Sequence, residues 1–432
     1  MTMPQDIRQL LQSAEQQRRA GDFQSSRETY AQILRKDPNS VLATHALGWI
    51  ALRLNENKLA ADLLSRAAQL APSAPAIHID LAHAFDRIGD PSRAIFHLQK
   101  AIALNPASST PYRVLGQLLL QHGQTPEALE ALRAWARIEN SAAAHYELGT
   151  ALAQSGDPKS AVVHLRQAVT LQPDHGSAHC NLGLALEDAG QKEQAADALR
   201  NAIRLMPDPS VAQYHLAALG AGDPPATCPP RYLVELFDNY ADRFEHHLVT
   251  TLGYQGPQLL LDMVKSANPP LPLDVMDLGC GTGLCGVLFR PLARTLVGVD
   301  LAPRMIALSK SRNVYDDLLH SDLAPALESC PQGFDLLLAA DVFIYIGDLS
   351  PLFRSAVTAL RPGGLFAFTI ERTDSADFLV LPTRRYAQSP AYIRRLSAEF
   401  GFQEQASKDA TLRAGETGDV PGTVFLLRRS AP

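Results

Sequence analysis

The sequence predicts two parts of different class, an all-helical repeat followed by an α/β domain built on a mostly parallel sheet. Three observations predict it. Proline closes a helical segment at Pro38, Pro72 and Pro106, each 34 residues after the last; Asn140 takes the next slot, and Pro173 and Pro207 follow. A Pro-rich break, Gly222-Asp-Pro-Pro-Ala-Thr-Cys-Pro-Pro230, then interrupts the pattern. Beyond it, short apolar runs alternate with helical stretches, and the first run ends in Asp277-Leu-Gly-Cys-Gly-Thr-Gly283. A chain of 432 residues has room for two or three domains of ordinary size.

In the first half, small residues fall in phase with the prolines. One row reads Ser26, Ala60, Ala94, Ala128, Ala161, Ala195, and a second reads Ala14, Gly48, Ala82, Gly116, Gly149, Gly183. Glycine punctuates the turn between them at Gly21, Gly89, Gly123, Gly156 and Gly190. Small residues let two helices cross closely, and glycine and proline end them. The unit is therefore a helix-turn-helix repeated six times.

On these residues the region resembles the tetratricopeptide repeat (TPR) family, across 6–208, with a capping helix near Ser210–Leu219. The resemblance implies an α-solenoid over 6–220 that holds a protein or peptide partner along its concave face. The corresponding groove positions read Leu11, His45, Ile79, Arg113, Tyr146, Cys180 and Glu15, Trp49, His83, Gln117, Thr150, Leu184. They lack the Lys and Asn clamp of the carboxylate-gripping members. The row of His, Tyr, Trp and Arg is compatible with a recognition groove or with ordinary exposed helix surface.

The break at 221–230 is read as a linker, and 231–432 as the second domain. Apolar strands are expected at Leu273–Leu278, Thr295–Val299, Phe334–Ala340 and Leu365–Ile370, with another in the region Tyr315–Ser321. Such alternation places ligands at the strands' carboxyl ends. Alternating glycines at Gly279, Gly281 and Gly283 let the backbone turn tightly and approach a ligand, and the helix start at Leu284 offers free N–H groups. The second strand ends in Val297-Gly-Val-Asp300, whose carboxylate suits the two hydroxyls of a ribose. Gly281-x-Gly283-x-x-Gly286 also fits the glycine string of nicotinamide enzymes. Against that stand the acidic Asp277 ahead of the glycines, Asp322 after the third strand region, Phe334-Asp-Leu-Leu-Leu-Ala-Ala-Asp341, and Leu360-Arg-Pro-Gly-Gly364, read as a turn before strand five.

That ordered series resembles the class I S-adenosylmethionine-dependent methyltransferases, over about residues 230–428, and more closely the bacterial ones that carry N-terminal TPR repeats. The resemblance implies a Rossmann-like seven-stranded domain. It implies that Asp277, Gly279, Cys280, Gly281 and Gly283 surround the methionine moiety, Asp300 the ribose, and Leu301 the adenine. Asp322 and Leu323 would read the adenine edge, and Asp341 would lie beside the sulfonium. Asp322 stands equally well as a helix cap. Upstream, Phe237, Tyr240, Ala241, Phe244 and Leu248 recur at helical spacing. They read as core packing or as a lid, in which Tyr240 and Phe244 close over the cofactor. In Glu245-His246-His247, neighbouring helical positions diverge by about 100°, so both histidines cannot face one ligand. For the acceptor, Asp341, Glu371 and Tyr386 are the candidate catalytic residues, by position at the sheet edge.

The expected function is thus S-adenosylmethionine-dependent methyl transfer, releasing S-adenosylhomocysteine, to a small-molecule, carrier-bound or protein side-chain acceptor. The repeats would recruit the partner or substrate. The alternative is a non-catalytic scaffold whose C-terminal domain only senses the nucleoside. Composition narrows the rest. Net charge is −6 and both halves are mildly acidic, which opposes binding to nucleic acid or an anionic membrane surface. Five cysteines without a CxxC pair suit a reducing compartment. No histidine pair has convincing ligand spacing, so no metal is expected. With neither a signal peptide nor a long apolar run in view, a cytoplasmic location is expected.

Overall fold

The computed structural model describes residues 4–415 and 418–431, and the chain divides into two compact units, Met1–Gln191 and Lys192–Pro432. The first unit is helical throughout its regular elements: α1 (Gln5–Arg19), α2 (Phe23–Lys36), α3 (Val41–Arg53), α4 (Asn57–Leu70), α5 (Pro75–Arg87), α6 (Pro91–Leu104), α7 (Ser109–Gln121), α8 (Thr125–Ile138), α9 (Ala142–Gln154), α10 (Pro158–Leu171) and α11 (Gly176–Asp188). Successive helices α1 and α2, α3 and α4, and so on to α9 and α10, pack as pairs. The in-phase small residues lie where each pair crosses. Ser26 Oγ donates to the Ala14 carbonyl at 2.8 Å, and a Cβ added at Gly149 would lie 2.6 Å from Leu165 Cγ. The turn between paired helices needs a left-handed residue. Gly21 and Gly89 supply it with φ of 79°, and Asn55 takes the same slot in the second repeat with φ of 59°.

The second unit opens with α12 (Lys192–Leu205) and α13 (Ser210–Ala218). The sequence period groups both with the repeats, whereas in the structure they fold with the C-terminal unit. The reason is aromatic packing: Tyr214 on α13 meets Tyr232 and Tyr386 at ring distances of 5.6 and 5.9 Å, and its hydroxyl donates to the Arg384 carbonyl.

The strands are β1 (Leu273–Leu278), β2 (Ala293–Asp300), β3 (Asp317–His320), β4 (Phe334–Ala339), β5 (Leu360–Glu371), β6 (Phe378–Val380), β7 (Tyr386–Gln388), β8 (Phe402–Gly415) and β9 (Gly418–Arg429). Seven form one sheet in the order β3-β2-β1-β4-β5-β9-β8, parallel as far as β5, with β9 and β8 an antiparallel hairpin at one edge. β6 and β7 pair separately. The fold is therefore the one expected. One local expectation is corrected: Arg361-Pro-Gly-Gly364 lies inside β5 rather than before it. Phe334 pairs with Leu360 and Leu336 with Leu365, so the four residues bulge out of a continuing strand.

Helices cover both faces: α14 (Pro230–Glu245), α15 (Gly256–Ser266), α16 (Leu284–Phe289), α17 (Pro303–Ser311), α18 (Leu323–Glu328), α19 (Ser350–Ala359) and α20 (Pro390–Glu399). One core layer joins Met276, Leu278, Phe353, Phe366 and Phe368, and the other joins Val275, Leu260, Val264 and Leu336. Strands buried on both faces read as near-continuous apolar runs, and β1 and β4 were legible as such although Asp274, Asp277 and Asp335 interrupt them.

Candidate functional site

β1 delivers the chain into the glycine turn at the carboxyl edge of the sheet. Gly279 and Gly281 have φ of 64° and 53°, which L side chains rarely adopt. A Cβ at Gly279 would lie 2.7 Å from Val342 Cγ2, so this turn and the loop after β4 meet there. Gly281 has nothing nearer its missing Cβ than Phe244 at 3.9 Å, leaving its backbone open to the adjoining space.

That space is a cavity of about 300 Å³. Of the residues expected at the cofactor, Asp277, Gly279, Cys280, Gly281, Asp300, Leu301, Asp322, Leu323, Asp341, Tyr240 and Phe244 all line it. Gly283 does not. Its φ of 89° and the close approach of Arg312, Tyr315 and Ser309 make it a packing requirement at the start of α16.

The carboxylates are held differently. Asp277 is buried and accepts from the Tyr315 hydroxyl at 2.6 Å; burial, opposed by that bond and reinforced by Asp300, pushes its carboxyl up to about 7. Each Asp300 oxygen accepts one backbone N–H, from Gly281 and from Ala302, both at 2.9 Å. Those bonds only partly offset burial, so Asp300 is also raised. Asp322 caps α18 through a 2.6 Å bond from the Leu323 amide, and it also lines the cavity.

Asp341 follows β4 with a φ of 58°, a conformation aspartate tolerates better than most residues. Its amide donates to Thr369 Oγ1 at 2.9 Å, and Arg413 donates to Oδ2. Its Oδ1 is buried without a recorded partner, as are Tyr254 OH and Thr282 Oγ1, and all three residues line the cavity. Unpartnered buried polar atoms are costly and mark where a ligand's polar groups belong. Glu371 is not at the cavity wall. It is buried and bound by Arg413, with Arg385 Nη1 4.0 Å away. Burial raises both Asp341 and Glu371, against the pull of Arg413.

Tyr386 is a correction. It is fully buried, its hydroxyl donates to the Pro225 carbonyl at 2.8 Å, and its ring packs on Tyr214. It is absent from the cavity wall, and no acceptor there reaches it. Tyr345 lies on that wall instead, its hydroxyl pushed up to about 12 by burial.

The aromatic stripe of α14 packs on one neighbour and also lines the cavity. Phe237, Ala241 and Phe244 pack on Ala302, Met305 and Leu308, while Phe237, Tyr240 and Phe244 face the cavity. Arg304 ties α14 down through the Asp238 carbonyl at 2.7 Å, and Arg312 pairs with Glu245. Of the two histidines, His247 lines the cavity beside Tyr240, and His246 does not.

Sequence reasoning missed Tyr254, Tyr315 and Arg413. Arg413 owes its inward aim to a bulge between Thr411 and Arg413, which buries Leu412 and Arg413 together although alternation would expose one. No helix in the described residues is long and apolar enough to cross a membrane, and no metal-binding cluster occurs among them.

Residues 276–368 match the family model described as a methyltransferase domain, and 11–75, 79–145 and 146–209 match the tetratricopeptide repeat model. The chain therefore combines tetratricopeptide repeats with a methyltransferase domain. Among curated relatives, it is 36% identical over 114 residues to the ubiquinone biosynthesis O-methyltransferase of Methylobacterium sp. (strain 4-46), covering 24% of this chain and 44% of that protein. It is 32% identical over 148 residues to the protein of that name from Brucella ovis, covering 32% and 58%. The chain thus spans about half the length of these relatives. Among solved structures, YrrB, described as a TPR protein with an unusual peptide-binding site, aligns at TM-score 0.39 and 20% identity, covering 42% of this chain and 95% of that one. A SAM-dependent methyltransferase from Methanosarcina mazei aligns at TM-score 0.34 and 12% identity, covering 39% and 98%.

Proposed function

We propose that the protein is an S-adenosylmethionine-dependent methyltransferase whose repeats recruit a protein or peptide partner. One observation carries the reading: four carboxylates, from Asp277, Asp300, Asp322 and Asp341, converge with the glycine turn on one cavity that has Arg385 as its lining guanidinium. An acidic, partly apolar cavity suits a ligand with two cationic groups, a ribose and an adenine ring. The orphaned Tyr254, Thr282 and Asp341 atoms fit the polar ends of such a ligand. Bound there, S-adenosylmethionine supplies an electrophilic methyl group.

In this reading Asp277 meets the ligand's ammonium, and Asp300 takes the ribose hydroxyls with the lone pairs its amide bonds leave free. Leu301 packs on the adenine, and Asp322 and Leu323 face its edge. Cys280 is buried and its thiol raised by burial, so it acts as wall rather than nucleophile. Tyr240, Phe244 and Phe237 cover the cavity and keep water out. The acceptor enters beside Val342, Ile344 and Tyr345, an apolar stretch that suits a small molecule with an oxygen nucleophile. The naming of the matched relatives as O-methyltransferases supports the same acceptor atom. Asp341 is the group positioned to take the proton such a nucleophile gives up. A reducing cytoplasm accommodates the five free cysteines.

Titration calorimetry with S-adenosylmethionine and S-adenosylhomocysteine, followed by a labelled-methyl assay on partners captured by the full chain, tests the reading. Binding with transfer to a captured or added acceptor is expected. Binding without transfer to any acceptor favours the nucleoside-sensing scaffold, and no binding refutes both.

A further inference from the structure

The cavity's charge has a second layer behind it. Arg413 is 1% exposed, reaches in from β8, and donates to Asp341 on one side and to Glu371 on the other. One guanidinium thus serves two buried carboxylates, so the trio carries one net negative charge. Its carboxylate oxygen Asp341 Oδ1 is buried without a recorded protein partner, on a residue that lines the cavity. Arg385 is the other cation nearby: it stands 4.0 Å from Glu371 with its side chain 31% exposed, and it pulls on both carboxyls, so it offsets part of the trio's charge. Arg413 Nε is also buried without a recorded partner, so the arrangement is not one that packing alone explains.

We propose that Asp341, Arg413 and Glu371 act as one electrostatic unit that makes the cavity select a sulfonium ligand over its uncharged thioether product. The inference rests on the cofactor reading above and deepens it. A fixed negative charge in a half-buried cavity favours a cation by far more than the same charge in water. The thioether lacks that cation, so it is held more weakly and leaves more readily. Asp341 contacts the ligand; Arg413 and Glu371 are positioning residues that set the charge Asp341 presents. Arg413 alone would neutralise Asp341, and Glu371, by engaging the guanidinium from behind, returns the net charge. Removing the charge of Glu371 therefore weakens sulfonium selection even though Glu371 does not line the cavity.

The test is calorimetry on the full chain at pH 8 with three probes: S-adenosylmethionine, S-adenosylhomocysteine, and an analogue with an amine at the sulfonium position. Wild type is expected to hold both charged probes more tightly than the thioether. Asp341→Asn should cut that preference about tenfold, and the isosteric Glu371→Gln at least about threefold, each with thioether affinity retained. A preference that moves in neither variant overturns the proposal. So does a Glu371→Gln protein that loses all three probes equally, since that marks a packing role. Failure of wild type to bind any probe overturns the cofactor reading itself, a separate and distinguishable outcome.

Discussion

Replacing Asp277 with Asn should make the unliganded protein more stable at alkaline pH and its cofactor affinity weaker, two effects of opposite sign from one atom. Burial pushes this carboxyl from 3.8 up to about 7. A raised carboxylate costs stability where it is ionised in the fold: the cost is absent below the unfolded pKa, grows as pH rises from 3.8, and is complete above about 7. At about 1.4 kcal/mol per pH unit, the gap corresponds to about 4 kcal/mol at pH 8, an upper figure because the cavity can relax and admit water. Asn is isosteric and its amide oxygen still accepts from the Tyr315 hydroxyl. Chemical unfolding at pH 8 should therefore show Asp277→Asn more stable by up to a few kcal/mol, with the difference shrinking as pH falls and closing only near pH 4. Cofactor binding moves the other way. A charged hydrogen bond to the ligand's ammonium is worth about 1.5–3 kcal/mol, so the dissociation constant should rise about ten- to a hundredfold at pH 8. A variant that is less stable at pH 8, or one that binds S-adenosylmethionine as wild type does, would refute the reasoning.

Two predictions concern the repeats. Gly149→Ala puts a Cβ 2.6 Å from Leu165 Cγ in a buried crossing and should cost about 1–3 kcal/mol in denaturant unfolding, with Leu165→Ala added to it partly restoring the fit. The pairs His78–His97 and His145–His164 face each other through Nδ1 atoms 3.1 and 3.0 Å apart, so each pair shares one proton. Burial lowers all four, His97 to about 4. Their stability is full above pH 6.5 and is lost as pH falls toward 4, so Tm should drop over that interval, and His97→Leu with His164→Leu should flatten the drop.

The residue types that set the fold have strong local signatures, and those that complete the site do not. Gly149 was readable because each repeat restates the same crossing, and the glycine turn because alternating glycines serve little purpose without backbone access. Asp300 was readable because it ends a strand, and Asp322 because it follows one and opens a helix. Arg413 was not, since it lies 72 positions from Asp341 and is aimed by a bulge that no periodicity announces. Tyr386 misled for the converse reason: it stands near the sheet edge in sequence order, but its hydroxyl is consumed by a carbonyl 161 positions away. Position along a strand predicts which edge a residue reaches, and only the packing around it decides which way the side chain faces.

The raised carboxylates also dictate what binding does to protons. Asp277, Asp300 and Asp341 are all pushed up by burial in one cavity, and Asp277, raised to about 7, keeps part of its proton near neutral pH where an isolated carboxylate would have lost it. A cation entering beside Asp277 favours its ionised form and expels that proton. S-adenosylmethionine should therefore bind with proton release at pH 6.5, seen as a binding enthalpy that varies with the buffer's ionisation enthalpy. Release should fade by pH 9, where Asp277 is already ionised, and shrink at pH 6.5 in Asp277→Asn. S-adenosylhomocysteine shares the ammonium that meets Asp277, so it should release protons at the same pH as well. No release by either nucleoside at pH 6.5 would mean that the ammonium does not meet Asp277, and the assignment of that carboxylate would fall.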